Sequence, residues 1–156
     1  MRPYVYSHSA VITNYGHNNQ SLGHQWGGNF NEFVVIGRYH KGRLFGDAKF
    51  NIGKRGLDFN TAQDSYNYGG DIYKSYDVKR PYDKGVVVGQ GNKTDVFIAD
   101  IQGGYLINPM TNLKLFGSFI YRNFDPTQDT PTTFKQSTTW FTIGLRSDIF
   151  NWYFDY

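Results

Sequence analysis

The chain has 156 residues, no cysteine, and 16 basic against 13 acidic side chains for a formal net charge of +3. That balance is too mild to imply nucleic acid, and without cysteine a disulfide framework and thiolate metal sites are excluded. Tyr, Phe and Trp supply 19% of the residues, but there is one Glu (Glu32), four Ala and seven Leu. Helix bundles and helix-flanked parallel sheets are thereby close to excluded, whereas the Tyr, Phe, Val, Ile and Thr present suit strands. No apolar run is long enough for a membrane-spanning helix.

The opening residues, Met1 to His8, contain one basic residue and no apolar stretch, so no signal peptide is expected within them. A location outside the cytoplasm would then require a processed or incomplete chain. Residues 2–12 are a candidate strand, and residues 13–30 a Gly/Asn-rich connection. Residues 31–40 alternate Phe33, Val35, Gly37 and Tyr39 with Val34, Ile36, Arg38 and His40. After Lys41-Gly42, residues 43–53 give the cleanest pattern: Leu44, Gly46, Ala48, Phe50 and Ile52 on one face, Arg43, Phe45, Asp47, Lys49 and Asn51 on the other. Such period-two alternation marks a long strand with unlike faces.

A long connection covers residues 54–94. Alternation resumes at 95–107, with Phe97, Ala99, Ile101, Gly103, Tyr105 and Ile107 on one side. The turn Asn108-Pro109-Met110-Thr111-Asn112 leads into 113–123, where Leu113, Leu115, Gly117, Phe119 and Tyr121 share a face. A further connection, 124–137, precedes 138–146. Beyond Leu145 the aromatic parity shifts to Phe150, Trp152, Phe154 and Tyr156, as a bulge or turn near Ser147-Asp148 would produce.

Short and long connections therefore alternate, which in an up-and-down antiparallel sheet gathers the tight turns at one end and the long loops at the other. Outer-membrane barrels have this asymmetry, with strands of about 9–11 residues. The charges Arg38, Asp47, Lys49, Asp100, Lys114, Arg122 and Arg146 all fall on the mixed face. They are expected to face a lumen, with Phe45, Phe116, Ile120 and Trp140 packing on luminal loops or a plug. Leu44, Phe50, Phe97, Ile101, Leu115, Phe119, Phe141 and Ile143 are expected on the outer face. About six strands cannot close such a barrel, for which eight is the observed minimum. The expected fold is thus all-β: residues 1–156 as the C-terminal part of a larger antiparallel transmembrane β-barrel. A soluble sandwich or lipocalin-like barrel also alternates, but its strands are shorter and its loops unsegregated.

Tyr6-Ser7-His8-Ser9, the run Asn14 to His24, and Gly28-Asn29-Phe30 resemble a signature of the capsule-assembly (Wzi-type) outer-membrane barrels, in particular their Bacteroidetes branch, which includes gliding-motility barrels. The ending Ile143 to Tyr156 is similar to the close of that family's barrel. Ser21 and Gln25 depart from the pattern, in which proline follows Gln or His. The resemblance spans nearly all of this chain and the C-terminal portion of the family. It implies a non-enzymatic barrel in the outer membrane of a Gram-negative bacterium, serving surface or capsular polysaccharide attachment or assembly, or gliding motility. The alternative is a porin-like channel, or a barrel subunit of a secretion or motility complex whose loops bind protein. The implied partners are outer-membrane lipid, an acidic surface polysaccharide, and the barrel-assembly machinery, which reads an aromatic C-terminus like Phe154-Asp155-Tyr156.

The chemical candidates are few. His17 and His24 match no metal-site spacing, and neither a metal nor a cofactor is expected. His8 stands between Ser7 and Ser9, but no G-x-S-x-G elbow occurs, and no enzyme is expected. Loop 54–94 interleaves Tyr66, Tyr68, Tyr73, Tyr76 and Tyr82 with Asp64, Asp71, Asp77, Lys74, Lys79 and Arg80. Tyrosine combines an apolar ring with a hydroxyl, as a sugar-binding surface needs. Tyr15, His17, His24, Trp26, Tyr66, Tyr68, Tyr73 and Tyr76 are the carbohydrate-binding candidates. A folded loop with these tyrosines as its small core is an equally good reading.

Overall fold

The computed structural model describes residues 1–147. It is all-β and antiparallel, apart from a single 3₁₀ turn at Val11–Thr13. A two-residue pair, β1 (Gly16–His17) and β2 (Gln20–Ser21), forms a small hairpin with Gly16 opposite Ser21. Asn18 and Asn19 both take the left-handed conformation, as a two-residue hairpin turn of this hand requires. The main sheet contains β3 (Phe30–Lys41), β4 (Leu44–Leu57), β5 (Asn92–Asn108), β6 (Leu113–Pro126) and β7 (Gln136–Arg146), adjacent in that order. Each predicted strand from residue 31 onward is present, lengthened at its loop end. The sheet is open among the described residues, with β3 and β7 at its edges.

Residues 2–12 are a correction, because they form no strand, which leaves five strands rather than six in the sheet among the described residues. Pro3 lacks an N–H and Tyr4 sits at φ 63°, so the segment cannot hold an extended ladder. Its backbone instead bonds to other loops, Tyr4 N–H to the Gly69 carbonyl at 3.1 Å and Asn29 N–H to that of Arg2 at 3.2 Å. The expected parity shift and aromatic terminus, Phe150 to Tyr156, lie outside the described residues.

The chain divides into two compact units, and each long strand contributes a segment to both. Unit 2 (34–51, 98–122 and 138 onward) holds the two tight turns, 42–43 and 109–112. Gly42 at φ 62° reverses the chain in the first. In the second, the Asn108 side chain accepts from Met110 N–H at 2.9 Å beside the donor-less Pro109. One face of unit 2 is apolar, its one charged residue being Lys41 at the turn end of β3. Leu44, Ile101, Leu115, Phe119, Phe141 and Ile143 are exposed on it, with Phe141 and Ile143 at 68% and 71%. Phe50, and Phe97 in unit 1, are half-buried; none of the eight predicted outer residues is in a core.

The opposite face of unit 2 bears the predicted charges. Arg38 lies 3.8 Å from Asp47, both exposed, and Lys49, Asp100 and Arg122 are exposed as well. The aromatics there pack differently from expectation. Phe45 covers Gly104 of β5, and Phe116 covers Gly144 of β7, while Lys114 and Arg146 stand 5.9 and 5.6 Å from the two ring centres. These rings thus pack on sheet glycines and side-chain cations, because glycine leaves room for a neighbouring ring to lie on the strand. Trp140 is exposed, its indole N–H donating to Thr142 Oγ1 at 3.0 Å.

In Gly104→Ala, the new methyl would stand 2.2 Å from the Leu115 carbonyl oxygen, which is backbone and cannot turn aside. In Gly144→Ala, it would meet only the Phe116 ring, at 3.1 Å or more. Gly104→Ala should therefore lower stability by about 1–3 kcal/mol, with Gly144→Ala the milder change, in thermal unfolding followed by far-ultraviolet circular dichroism.

Candidate functional site

Unit 1 (1–33, 52–97 and 123–137) carries the long connections, 58–91 and 127–135, and the segment before β3. Its fully buried side chains are polar: Asn29, Asn92 and Thr94. Asn29, wholly enclosed at φ 57°, donates through Nδ2 to the carbonyls of Gly56 (2.9 Å), Tyr68 (3.2 Å) and Gln90 (2.9 Å). Its Oδ1 accepts from Gly89 N–H at 2.7 Å. One amide therefore ties together β4, the middle of loop 58–91 and the entry to β5. Gly56 permits this, since a Cβ there would lie 2.2 Å from Asn29 Nδ2. Asn67 repeats the device by donating to Ser75 O and accepting from Gly69 N–H, both at 2.9 Å. Asn92 clasps the 127–135 loop through both the N–H and the carbonyl of Gln128.

The apolar part of unit 1 is small, built on Trp26, Phe30, Ile72 and Val96. Trp26 is 7% exposed and lies against Gly53, where a Cβ would come within 2.5 Å of the indole. His24 sits 4.4 Å from the Phe30 ring centre and 5.5 Å from that of Trp26. Its Nδ1 accepts from Trp26 N–H at 3.1 Å, so Nε2 carries the proton donated to Glu32 at 2.7 Å. Arg55 stacks 5.6 Å from the Trp26 ring centre and donates from Nη2 to the Trp26 carbonyl at 2.9 Å.

Beside this packing opens a cleft of about 610 Å³. Its walls carry Asn19, Gln20, Ser21 and Gln25 from the hairpin side, Arg55, Asp58 and Asn60 from β4 and beyond, Asp71 and Tyr73 from the long loop, and Thr132 and Thr133 from the last one. Asp58 is buried, ion-paired with Lys74, and accepts from Tyr68 N–H at 2.7 Å. Asp71 is exposed and accepts from Tyr73 N–H at 2.9 Å. Two residues at the cleft each keep a buried polar atom without a hydrogen-bond partner, Ser21 Oγ and Arg55 Nε, both closed off from solvent.

Of the eight carbohydrate candidates, the cleft brings together Trp26 and Tyr73. Trp26 is a packing residue, covered on its faces, whereas Tyr73 is 40% exposed and backs onto Gly16 of β1. Tyr15 is exposed and stacks on Tyr6 at 5.4 Å, and His17 is exposed in the hairpin. Tyr66 is exposed beside Asp64, and Tyr76 packs edge-on to His8 at 6.1 Å. Tyr68 belongs to the loop's own packing, against Phe59 and with its hydroxyl on Asp64 Oδ2 at 2.8 Å. Tyr68 and Tyr76 thus pack within the unit, and Tyr66 and Tyr73 are exposed. Arg55 and Asp58 were missed by the sequence reading; the alternation that continues past Asn51 as Gly53 and Arg55 is the signal that could have placed Arg55 on the mixed face. Among the described residues no three His, Asp or Glu side chains group as a metal site.

Comparison with protein-family models, with curated proteins and with solved structures finds no match to this chain.

Burial, reinforced by the Asp64 carboxylate, pushes the Tyr68 phenol well above the usual tyrosine range. A raised value in the folded state means that the Tyr68–Asp64 bond contributes fully below about pH 10 and is lost as the pH climbs through that raised value. Ultraviolet titration of phenolate should show Tyr68 among the last tyrosines to ionise. Tyr68→Phe should remove one high-pH component from the curve; an unchanged curve would show that the bond does not form.

Proposed function

We propose that this chain is a segment of an outer-membrane β-barrel that holds or assembles surface polysaccharide without catalysing a reaction. The observation that carries the reading is an inversion of burial: the fully buried side chains are Asn and Thr, while large apolar side chains stand exposed on an apolar sheet face. Soluble monomers seldom expose contiguous apolar patches beyond a few hundred Å², but lipid solvates such a face without cost. The dimensions agree. On β5 the uncharged outward stretch from Phe97 to Ile107 spans about 34 Å at strand rise, or about 24 Å at a tilt near 45°. A barrel's apolar band is about 25 Å tall.

The charged face would then line the lumen. Arg38, Lys49, Lys114, Arg122 and Arg146 against Asp47 and Asp100 give it a positive balance, which favours anionic solutes or polymers. The long loops, with their hydroxyl- and amide-rich cleft, would stand at the extracellular side, where surface glycan lies. The resemblance to capsule-assembly and gliding-motility barrels points the same way and leaves gliding as the other cellular context.

Because the chain has no cysteine, single Cys labels report cleanly. In vesicles of brominated lipid, fluorophores at Ile101 and Ile143 should be quenched and one at Asp100 should not. Ile101→Arg should cost about 2–4 kcal/mol and reduce the membrane-assembled fraction, whereas Asp100→Arg should be tolerated. Equal quenching at all three positions, or a monodisperse detergent-free monomer that unfolds cooperatively, would overturn the membrane reading.

A further inference from the structure

We infer that a groove on unit 1 holds one zwitterionic phospholipid, its phosphate on Lys54 and its ammonium on Asp95. This goes beyond the proposed function, which needs only bulk lipid against the sheet, and rests on that reading for the membrane itself.

The groove follows from the pleat. Toward the long loops, the face that carries the apolar side chains turns polar on four neighbouring strands. Phe33 gives way to Asn31 on β3, Ile52 to Lys54 on β4, Phe97 to Asp95 on β5 and Tyr121 to Asn123 on β6. Asn31, Lys54, Asp95 and Asn123, with Phe33, Ile52 and Phe97, line a groove of about 490 Å³ within unit 1. Phe33 and Ile52 are exposed, so the groove offers apolar surface to an acyl chain. Apolar and polar side chains therefore meet along one line, as the hydrocarbon and headgroup of a lipid do.

The charge at the rim selects the headgroup. Lys54 Nζ stands 3.6 Å from Asp95 Oδ1, too far for a good hydrogen bond, and both side chains are exposed. A pair of this kind contributes little, so either member changes partners at small cost. Lys54 has three donors for phosphate oxygens, and the Asp95 carboxylate can accept from an ammonium. The two charges cancel. An anionic lipid would gain Lys54 but stand against Asp95, whereas a headgroup with both signs matches both. Glu32 also borders the groove, but its side chain is largely closed off and held by His24 at 2.7 Å.

The test is native mass spectrometry of the full-length protein, released from detergent micelles holding equal amounts of phosphatidylethanolamine and phosphatidylglycerol with the same acyl chains. One phosphatidylethanolamine should be retained in roughly fivefold excess, the ratio that one exposed ion pair supplies. Asp95→Asn should reverse the preference toward phosphatidylglycerol, and Lys54→Gln should weaken retention of both lipids. Ile52→Trp, which fills the groove, should weaken both without changing their ratio. All three positions are exposed, so the fold tolerates these changes. Equal retention of the two lipids by the wild type, or an undiminished preference in Asp95→Asn, would overturn the proposal. Tighter retention of lipid A than of phosphatidylethanolamine would overturn it in favour of a lipopolysaccharide. Lipid-quenched labels at Ile101 and Ile143 with no lipid retained would overturn it while leaving the membrane barrel standing.

Discussion

The pleat of a β-strand sends alternate side chains to opposite faces, and most of what is distinctive about this chain follows from that constraint. A single-residue slip in any strand of unit 2 would carry Lys, Arg or Asp onto the face that holds Leu44, Ile101, Phe119 and Ile143. The register is therefore fixed by charge as much as by hydrophobicity. It leaves a sheet whose exposed face is apolar and whose charged face stabilises itself, with Phe45 and Phe116 lying on glycines of the neighbouring strand and capped by Lys114 and Arg146.

Unit 1 solves a different problem. Long loops carry many backbone donors and acceptors, and a small apolar cluster around Trp26 and Phe30 cannot order them alone. Asparagine side chains do this work, since one amide supplies both donors and acceptors in a compact, rigid plane. Asn29 joins three segments that are far apart in sequence, Asn67 braces the middle of the long loop, and Asn92 holds the last one. The cleft is a consequence of this architecture. Loops held from within by amides leave the β1–β2 hairpin, the Arg55 stem and Tyr73 facing a common space.

The tyrosines of the long loop differ in burial. Tyr68 and Tyr76 pack within the unit, while Tyr66, Tyr73 and Tyr82 remain exposed. Trp26, a natural candidate for stacking on sugar, is committed to packing against Gly53 and Arg55. Its burial is what orients the Arg55 guanidinium.

By itself the sequence determined the strands from residue 31 to residue 146, their unlike faces and the alternation of tight turns with long loops. Those properties are local: period two, charge placement and turn residues act between neighbours along the chain or across one ladder. The strand expected over residues 2–12 failed because a left-handed Tyr4 and the donor-less Pro3 favour bonds to distant loop carbonyls, which no local pattern reveals. Only the tertiary structure decided which tyrosines are core, that His24 pairs with Glu32, and that Ser21 and Arg55 border one cleft. These depend on contacts between segments tens of residues apart, set by Asn29 and its counterparts. An asparagine that clasps three carbonyls reads in sequence like any other loop asparagine.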